Sequence, residues 1–484
     1  MCSGISCRSG EKKIKAGTSP EFGRDLRNNF FLTGFVLLLV LPLTFLLGDF
    51  GEKRTTQVIL LGLPFLLLGF LNFRLALVIF VGSLFIDINP VFLYSLSFLV
   101  IPYLLLVFVV LNKGFSLDEL KTPFFVITVV FVSFMLPSFF NSLAKTNGGF
   151  NMFMWPGFVL LFTLLAVALK DLDKINFLTK AYLTLVALNS VYAIFQGITT
   201  GRRAFGFAGI MFVDILGIAI IIVFILLLHA KGKTKAGYGA LFALLILAMI
   251  FNKTRNVWIN VAFVMMISFI HVAVKARFLQ MDRTKILRYG TVALLFVALS
   301  GGLLISFYGT TFFRIEEKQK LSAESLEVAD VNNSLVTRYF IWSTGYNGFK
   351  DNPVFGIGMY SFAYSSKFYN ELPDNIYKKF VSGLTLHQGF YSMLVETGIF
   401  GFTGLLIFLT VLFRKSRRVY IEAENTPQFL HAFIAFWVLI YIMTSLMFTD
   451  AWFWGRGIVM WGTVLGVISA INNINKRERE ASQQ

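Results

Sequence analysis

Among the four histidines, His387 stands apart: it lies where a long polar stretch runs into an apolar one, whereas His229, His271 and His431 fall at the opposite ends of apolar segments. An imidazole titrates near neutral pH and can take a proton from a hydroxyl, the step that any transfer to an alcohol requires. The structural alternative is that His387 only caps the element that follows it. Arginines gather on the same side: Arg202 and Arg203, Arg255 at the start of an apolar segment, Arg338 in the polar stretch, and Arg456. Guanidinium groups bind phosphate in two-point fashion and keep their charge when partly buried, so the set suits a pyrophosphate at a membrane surface. Anchoring to lipid headgroups is the plainer use of such residues. Asp214, inside an apolar segment, is a binding-site candidate able to pair with one of these arginines. Spaced as on one helix, Tyr391 shares a face with His387, and Glu396 points the other way.

Metal-dependent sugar transfer wants closely spaced carboxylates as hard oxygen ligands. Asp171-Leu172-Asp173 has the spacing but lies on the side away from His387, and Asp87-Ile88-Asn89 offers one carboxylate. The expectation is that no metal and no other cofactor is needed.

The elements that must position these residues are membrane spans. The 484 residues are 56% hydrophobic and 14% charged, against about 25% charged in soluble domains, so apolar surface must face lipid. Apolar segments fall at about 30–48, 57–72, 74–88, 91–111, 123–142, 153–170, 175–198, 205–229, 236–251, 256–275, 287–308, 387–413, 428–448 and 453–473. The second and third are parted only by Asn72, Phe73 and Arg74 and so form either two spans or one irregular unit. This predicts an all-α polytopic membrane protein of about 12–14 transmembrane helices. Its parts are a tail over 1–29, eleven spans over 30–308, one large loop over 309–386, three spans over 387–473 and a tail over 474–484.

Orientation follows from charge. With both termini cytoplasmic, 27 of the 43 Lys and Arg fall on the inner side and 16 on the outer, 8 of these in the long loop, where the positive-inside rule counts little. His387, its arginines and the loop are thereby outside. The net charge of +17 is this membrane signal, and nucleic-acid binding is excluded as its cause. Cys2 and Cys7 sit in the polar N-terminal tail, which lacks the apolar core of a cleaved signal peptide, and form no metal or disulfide site there. Within the loop, Ser334 to Lys350 has helical apolar spacing, stopped by Asp351-Asn352-Pro353 and a Gly-Ile-Gly turn.

Several segments carry a resemblance. Leu386-His387-Gln388-Gly389-Phe390 with Glu396-Thr397-Gly398-Ile399-Phe400-Gly401, and Arg338-Tyr339-Phe340-Ile341-Trp342 with Pro353-Val354-Phe355-Gly356-Ile357-Gly358, resemble the signature of the O-antigen ligase and O-antigen polymerase family, membrane glycosyltransferases of bacterial envelopes. Lys253-Thr254-Arg255 and Arg203-Ala204-Phe205-Gly206-Phe207 are similar to two shorter motifs of that family. Where the family often has Pro-Asn, this chain has Phe212-Val213-Asp214.

The resemblance implies a glycosyltransferase-C-like fold in the bacterial inner membrane and a large periplasmic loop. It implies metal-independent, inverting transfer of a glycan from an undecaprenyl-pyrophosphate carrier to a hydroxyl of a glycan or glycolipid acceptor. In that reading His387, Arg338 and Arg255 are catalytic, and Arg203, Arg202, Tyr391, Asp214 and Arg456 bind substrate. The acceptor distinguishes a ligase (lipid A core) from a polymerase (the growing carrier-linked chain), with the single dominant loop favouring the ligase. A secondary transporter is the competing class, but Pro is scarce (11) and the unusual charges gather at span ends rather than the midplane.

Overall fold

An uninterrupted apolar stretch in a bilayer satisfies its backbone polar groups only as helix, and helix is what these stretches form. The computed structural model describes residues 69–85, 96–111, 122–143, 145, 154–274, 334–453 and 455–483, with isolated positions between 284 and 295. Every regular element among the described residues is helical. They are α1 (Phe73–Ser83), α2 (Leu96–Leu111), α3 (Phe125–Asn141), α4 (Met154–Ala168), α5 (Leu172–Thr200), α6 (Phe212–His229), α7 (Gly232–Asn252), α8 (Arg255–Val274), α9 (Ser334–Asp351), the short α10 (Phe362–Ser365) and α11 (Asp374–Phe380), α12 (Gly389–Glu422), α13 (Phe429–Ser445) and α14 (Gly455–Gln483).

Eleven of these are apolar helices that coincide with predicted apolar segments, and six, α5 to α8, α12 and α14, are long enough to cross a membrane unaided. The protein is an all-α multi-pass membrane protein. The predicted segments at 30–48, 57–72 and 287–308 lie wholly or largely outside the described residues. Asn72 resolves the ambiguity at its own position: it is extended, its side chain accepts the Arg74 N–H at 2.9 Å, and α1 starts afresh after it. Asp171 likewise caps α5, accepting the Lys174 N–H at 2.8 Å, which gives the Asp-Leu-Asp pattern a structural use.

Helix α8 shows how the spans divide their surface. Ile259, Phe263, Met266, Ile270 and Val274 are exposed along one stripe, and Val257, Val261, Val264 and Val272 are buried along another. An apolar stripe exposed at helical spacing on a helix whose only Lys, Arg, Asp or Glu is Arg255 in its first turn is a lipid face. Among the inner contacts the tightest pairing is α14 on α4, where Gly462 and Gly466 lie one turn apart. A Cβ at Gly466 would stand 2.7 Å from Leu165 Cβ, so the pair sets how closely the helices approach. Helix α12 packs on α3 through the stacked rings of Phe131 and Phe408, 4.6 Å apart.

The described part of the loop, residues 334–388, folds around a core of its own. Phe340, Ile341, Ile357, Phe362, Phe380, Val381 and Leu386 are buried together with Val395 of α12. Helix α9 spans Ser334–Asp351, close to the predicted limits, and ends at the expected stop. This small domain sits on the face of the bundle where α6, α8, α12 and α14 begin and α5, α7 and α13 end. His229, His271 and His431 lie towards the other face, hydrogen-bonded to Ile225 O (2.9 Å), the Tyr420 hydroxyl (2.8 Å) and Asn176 Oδ1 (2.8 Å).

Candidate active site

Two motifs that are far apart in sequence meet first as a joint. Helix α12 is broken at Gly398 (φ 65°), and the turn after α9 docks into the break. Ile357 and Gly358 donate N–H bonds to Val395 O and Glu396 O (3.1 and 2.9 Å), while Ile399 and Phe400 donate to Pro353 O and Val354 O (2.9 and 3.1 Å). The backbones approach so closely that a Cβ on Gly398 would lie 2.3 Å from Val354 O, and one on Gly356 (φ 69°) 2.4 Å from the Glu396 carbonyl carbon. Glu396 is buried and accepts the Phe362 N–H on Oε1 (3.0 Å) and the Tyr360 N–H on Oε2 (3.1 Å). The Tyr360 hydroxyl in turn donates to Phe453 O (2.6 Å), and burial pushes that phenol well above its usual range. The joint therefore ties the loop domain to α12 and to the approach to α14.

His387 lies at the other end of this first part of α12, two residues before Gly389. Its backbone is in the left-handed region (φ 55°), a conformation non-glycine residues adopt when surrounding bonds enforce it. Those bonds are visible: His387 N–H reaches Asp450 Oδ2 at 3.1 Å, Gly389 N–H reaches Leu446 O at 2.8 Å, and the Gln388 side chain caps α12 by accepting the Tyr391 N–H. Helix α12 thus begins at Gly389, two residues after His387. This corrects the helical-wheel expectation: His387 is not on the helix, so Tyr391 does not share a face with it. Instead the Tyr391 hydroxyl donates to Trp342 O (2.7 Å), and Trp342 Nε1 donates to Leu386 O (2.9 Å), tying α9 to both sides of the histidine. Glu396 fails to orient His387 because its oxygens are taken by the loop backbone.

The His387 ring is half-buried, with Nδ1 3.2 Å from Thr385 Oγ1. Asp450, buried before α14, also accepts from Ser392 Oγ (3.4 Å). Asp450 lies within electrostatic reach of Arg338: burial lowers the Arg338 guanidinium from its usual value, and the Asp450 charge opposes that shift. Sequence reading passed over Asp450. Its signal was an acidic residue in the short connector before the last span, on the same side as His387.

A second cluster forms where the α5–α6 connector meets the α7–α8 turn. Arg203 Nε donates to Asn252 O (3.1 Å), a terminal nitrogen donates to Thr254 Oγ1, and the guanidinium lies 4.8 Å from the Phe205 ring centroid. Asn252 Nδ2 returns a bond to Ala204 O (2.7 Å), and Lys253 Nζ one to Gly201 O (2.9 Å). Burial lowers the Arg203 guanidinium from its usual value. The two short motifs are thereby one structure, with Arg255 in the first turn of α8 beside it. Arg202 is exposed.

Arg456 acts as a brace through one terminal nitrogen, which donates to Ala208 O (2.8 Å) and Leu84 O (3.3 Å), linking the start of α14 to the turn before α6 and the end of α1. Asp214 is buried in the first turn of α6, within electrostatic reach of the phenols Tyr182 and Tyr441. The structure thus assembles His387, Arg338 and Tyr391 in one group, Arg203 and the Thr254-Arg255 turn in a second, and places Asp214 below them.

These features define a multi-pass helical membrane protein carrying a histidine and arginine site beneath a folded loop. Residues 240–406 match the family model described as O-antigen ligase. The match runs from within α7 to the middle of α12, about a third of the chain, and contains Arg255, Arg338 and His387; over that stretch the chain is similar to the O-antigen ligase family. No curated protein matches the chain.

Proposed function

We propose that the protein transfers a glycan from an undecaprenyl-pyrophosphate carrier to a sugar hydroxyl of a glycolipid acceptor, as an O-antigen ligase does, at the periplasmic face of a bacterial inner membrane. The observation that carries this reading is the presentation of His387 by a left-handed turn held by Asp450, with Arg338 alongside, inside the family-matched region.

The reaction uses the His387 tautomer whose Nδ1–H donates to Thr385 Oγ1, 3.2 Å away, so that Nε2 keeps its lone pair and takes the proton of the acceptor hydroxyl. The acceptor oxygen then bonds to the anomeric carbon. The bond from that carbon to the carrier's phosphate oxygen breaks, and its electron pair leaves on the pyrophosphate. Arg338 and Arg255 stabilise that charge, and Arg203 helps to hold the pyrophosphate. A single displacement inverts the anomeric centre. Asp450 is a positioning residue, fixing the His387 turn through the backbone N–H and placing a negative charge within electrostatic reach of Arg338.

The decisive assay is the full-length protein in lipid nanodiscs with defined carrier-linked donors and candidate acceptors. The expected result is an inverted glycosidic product and free carrier pyrophosphate. Retention of anomeric configuration, or no transfer with any pair, overturns the reading. The acceptor is settled by a deletion strain: loss of all long lipopolysaccharide chains with carrier-linked polymer retained marks a ligase, and single-repeat chains mark a polymerase.

A further inference from the structure

Beside His387 the protein holds a groove of about 600 Å³ between α9, the start of α12 and the end of α13. Trp342 and Tyr346, one helical turn apart, form its upper wall, and Gln388 and Tyr391 its end nearest the histidine. Phe402, Leu394 and Met447 form the lower part, within or next to the apolar stretches of α12 and α13. Tyr346 is 53% and Met447 58% exposed, so the groove is open along its length.

The upper rings are held in place before any ligand arrives. The Trp342 indole donates to Leu386 O, the Tyr391 hydroxyl donates to Trp342 O, and the two rings meet edge to face at 6.1 Å. Their polar edges are satisfied, which leaves fixed aromatic surface. Aromatic faces with nearby amide and hydroxyl groups suit a sugar ring, and the Phe, Leu and Met floor at span level suits a hydrocarbon chain. The ligand that matches both is an amphiphile lying at the membrane boundary.

We infer that this groove seats the acceptor glycolipid, its hydrocarbon on Phe402, Leu394 and Met447 and its terminal sugar against Trp342 and Tyr346, with the attacking hydroxyl directed to His387. The acceptor rather than the donor is assigned because no guanidinium lines the groove and the one ammonium at its wall, Lys350 Nζ, is stacked 5.2 Å from the Tyr346 ring centroid, whereas Arg203 and the Arg255 turn form a separate cluster suited to pyrophosphate. The base must also touch the acceptor hydroxyl, and the groove ends at Gln388, next to it.

This assignment rests on the transfer reading, and the test separates the two. In nanodiscs, initial rates are measured with acceptor varied at saturating donor, and the reverse. For Tyr346→Ala the acceptor KM rises about tenfold, with kcat and donor KM within about twofold of the parent, and Tyr346→Phe restores it. A rise in donor KM instead, or no change in either, overturns the assignment. Independently, an acceptor carrying a photoreactive group in its acyl chain crosslinks to α12 around Leu394–Phe402 and to Met447 in His387→Ala protein. Crosslinking there without transfer by the parent enzyme sinks the transfer reading and keeps the groove. Transfer with crosslinks elsewhere sinks the groove alone.

Discussion

The joint at Gly398 and the turn at His387 both belong to the family-like signature, and they are opposites. At the joint every group is consumed: Glu396 is buried and holds two backbone amides, and four more amides cross between the turn and the helix. At the turn the His387 backbone N–H and ring Nδ1 are tied, and the half-buried ring keeps Nε2 in reserve. Recurrence of a motif therefore does not separate scaffold from chemistry; saturation of its polar groups does. The two regions should fail in different ways when altered.

The largest effect belongs to the joint. Gly398→Ala combines a left-handed backbone with a Cβ 2.3 Å from Val354 O, a combination that costs about 3 kcal/mol or more. The expected result is loss of folded protein from the membrane, read by abundance and thermal stability. Wild-type abundance of this variant would show that the helix is continuous there.

The turn fails in activity alone. His387→Ala keeps its backbone bond to Asp450 and should reach normal abundance while transfer falls about 10²–10⁴-fold, the usual worth of a positioned base. Normal abundance with normal transfer would leave His387 a structural residue. Arg338→Lys keeps the charge but loses the two-point geometry, and transfer should drop about 10–100-fold with abundance unchanged. If Arg338→Lys matches the parent, Arg338 serves only as a general cation.

Much of this contrast was legible in the residues. Apolar run length located the spans, because a bilayer leaves helix as the only solution. The stop at Asn352-Pro353 located the end of α9, because proline restricts the residue before it. What escaped was set by tertiary contact. The wheel from His387 to Tyr391 assumed a helix that the left-handed turn cancels, and that turn is enforced by Asp450, which is remote in sequence. The use of Arg456 as a brace on Ala208 and Leu84 carbonyls, and the union of Arg203 with Thr254, likewise depend on partners that local pattern does not name.

Asp450 sharpens the comparison, since it acts on the turn without touching the reacting atoms. Asp450→Asn retains an oxygen for the His387 N–H but removes the charge within electrostatic reach of Arg338. The expected loss is about tenfold in kcat with little change in KM, the size of an ordinary charge-assisted contact. A purely structural role would instead lower abundance and leave kcat per folded molecule intact.

The smallest expected effect is none at all, and it concerns the proposal that arginines serve in place of a metal. In pyrophosphate chemistry the leaving charge must be met by cations, and a divalent ion would need several free hard oxygen ligands close together. The carboxylates nearest the turn are engaged elsewhere: Asp450 with His387 and Ser392, Glu396 with the amides of Tyr360 and Phe362. In the proposed reaction Arg338 and the Arg203 cluster would meet that charge, since guanidinium groups stay charged at neutral pH even when burial lowers them. Transfer by the purified protein should therefore proceed at the parent rate in excess EDTA, and added Mg²⁺ or Mn²⁺ should not raise it. A rate that collapses in EDTA and returns with one divalent ion would move the charge-stabilising role from the arginines to a metal.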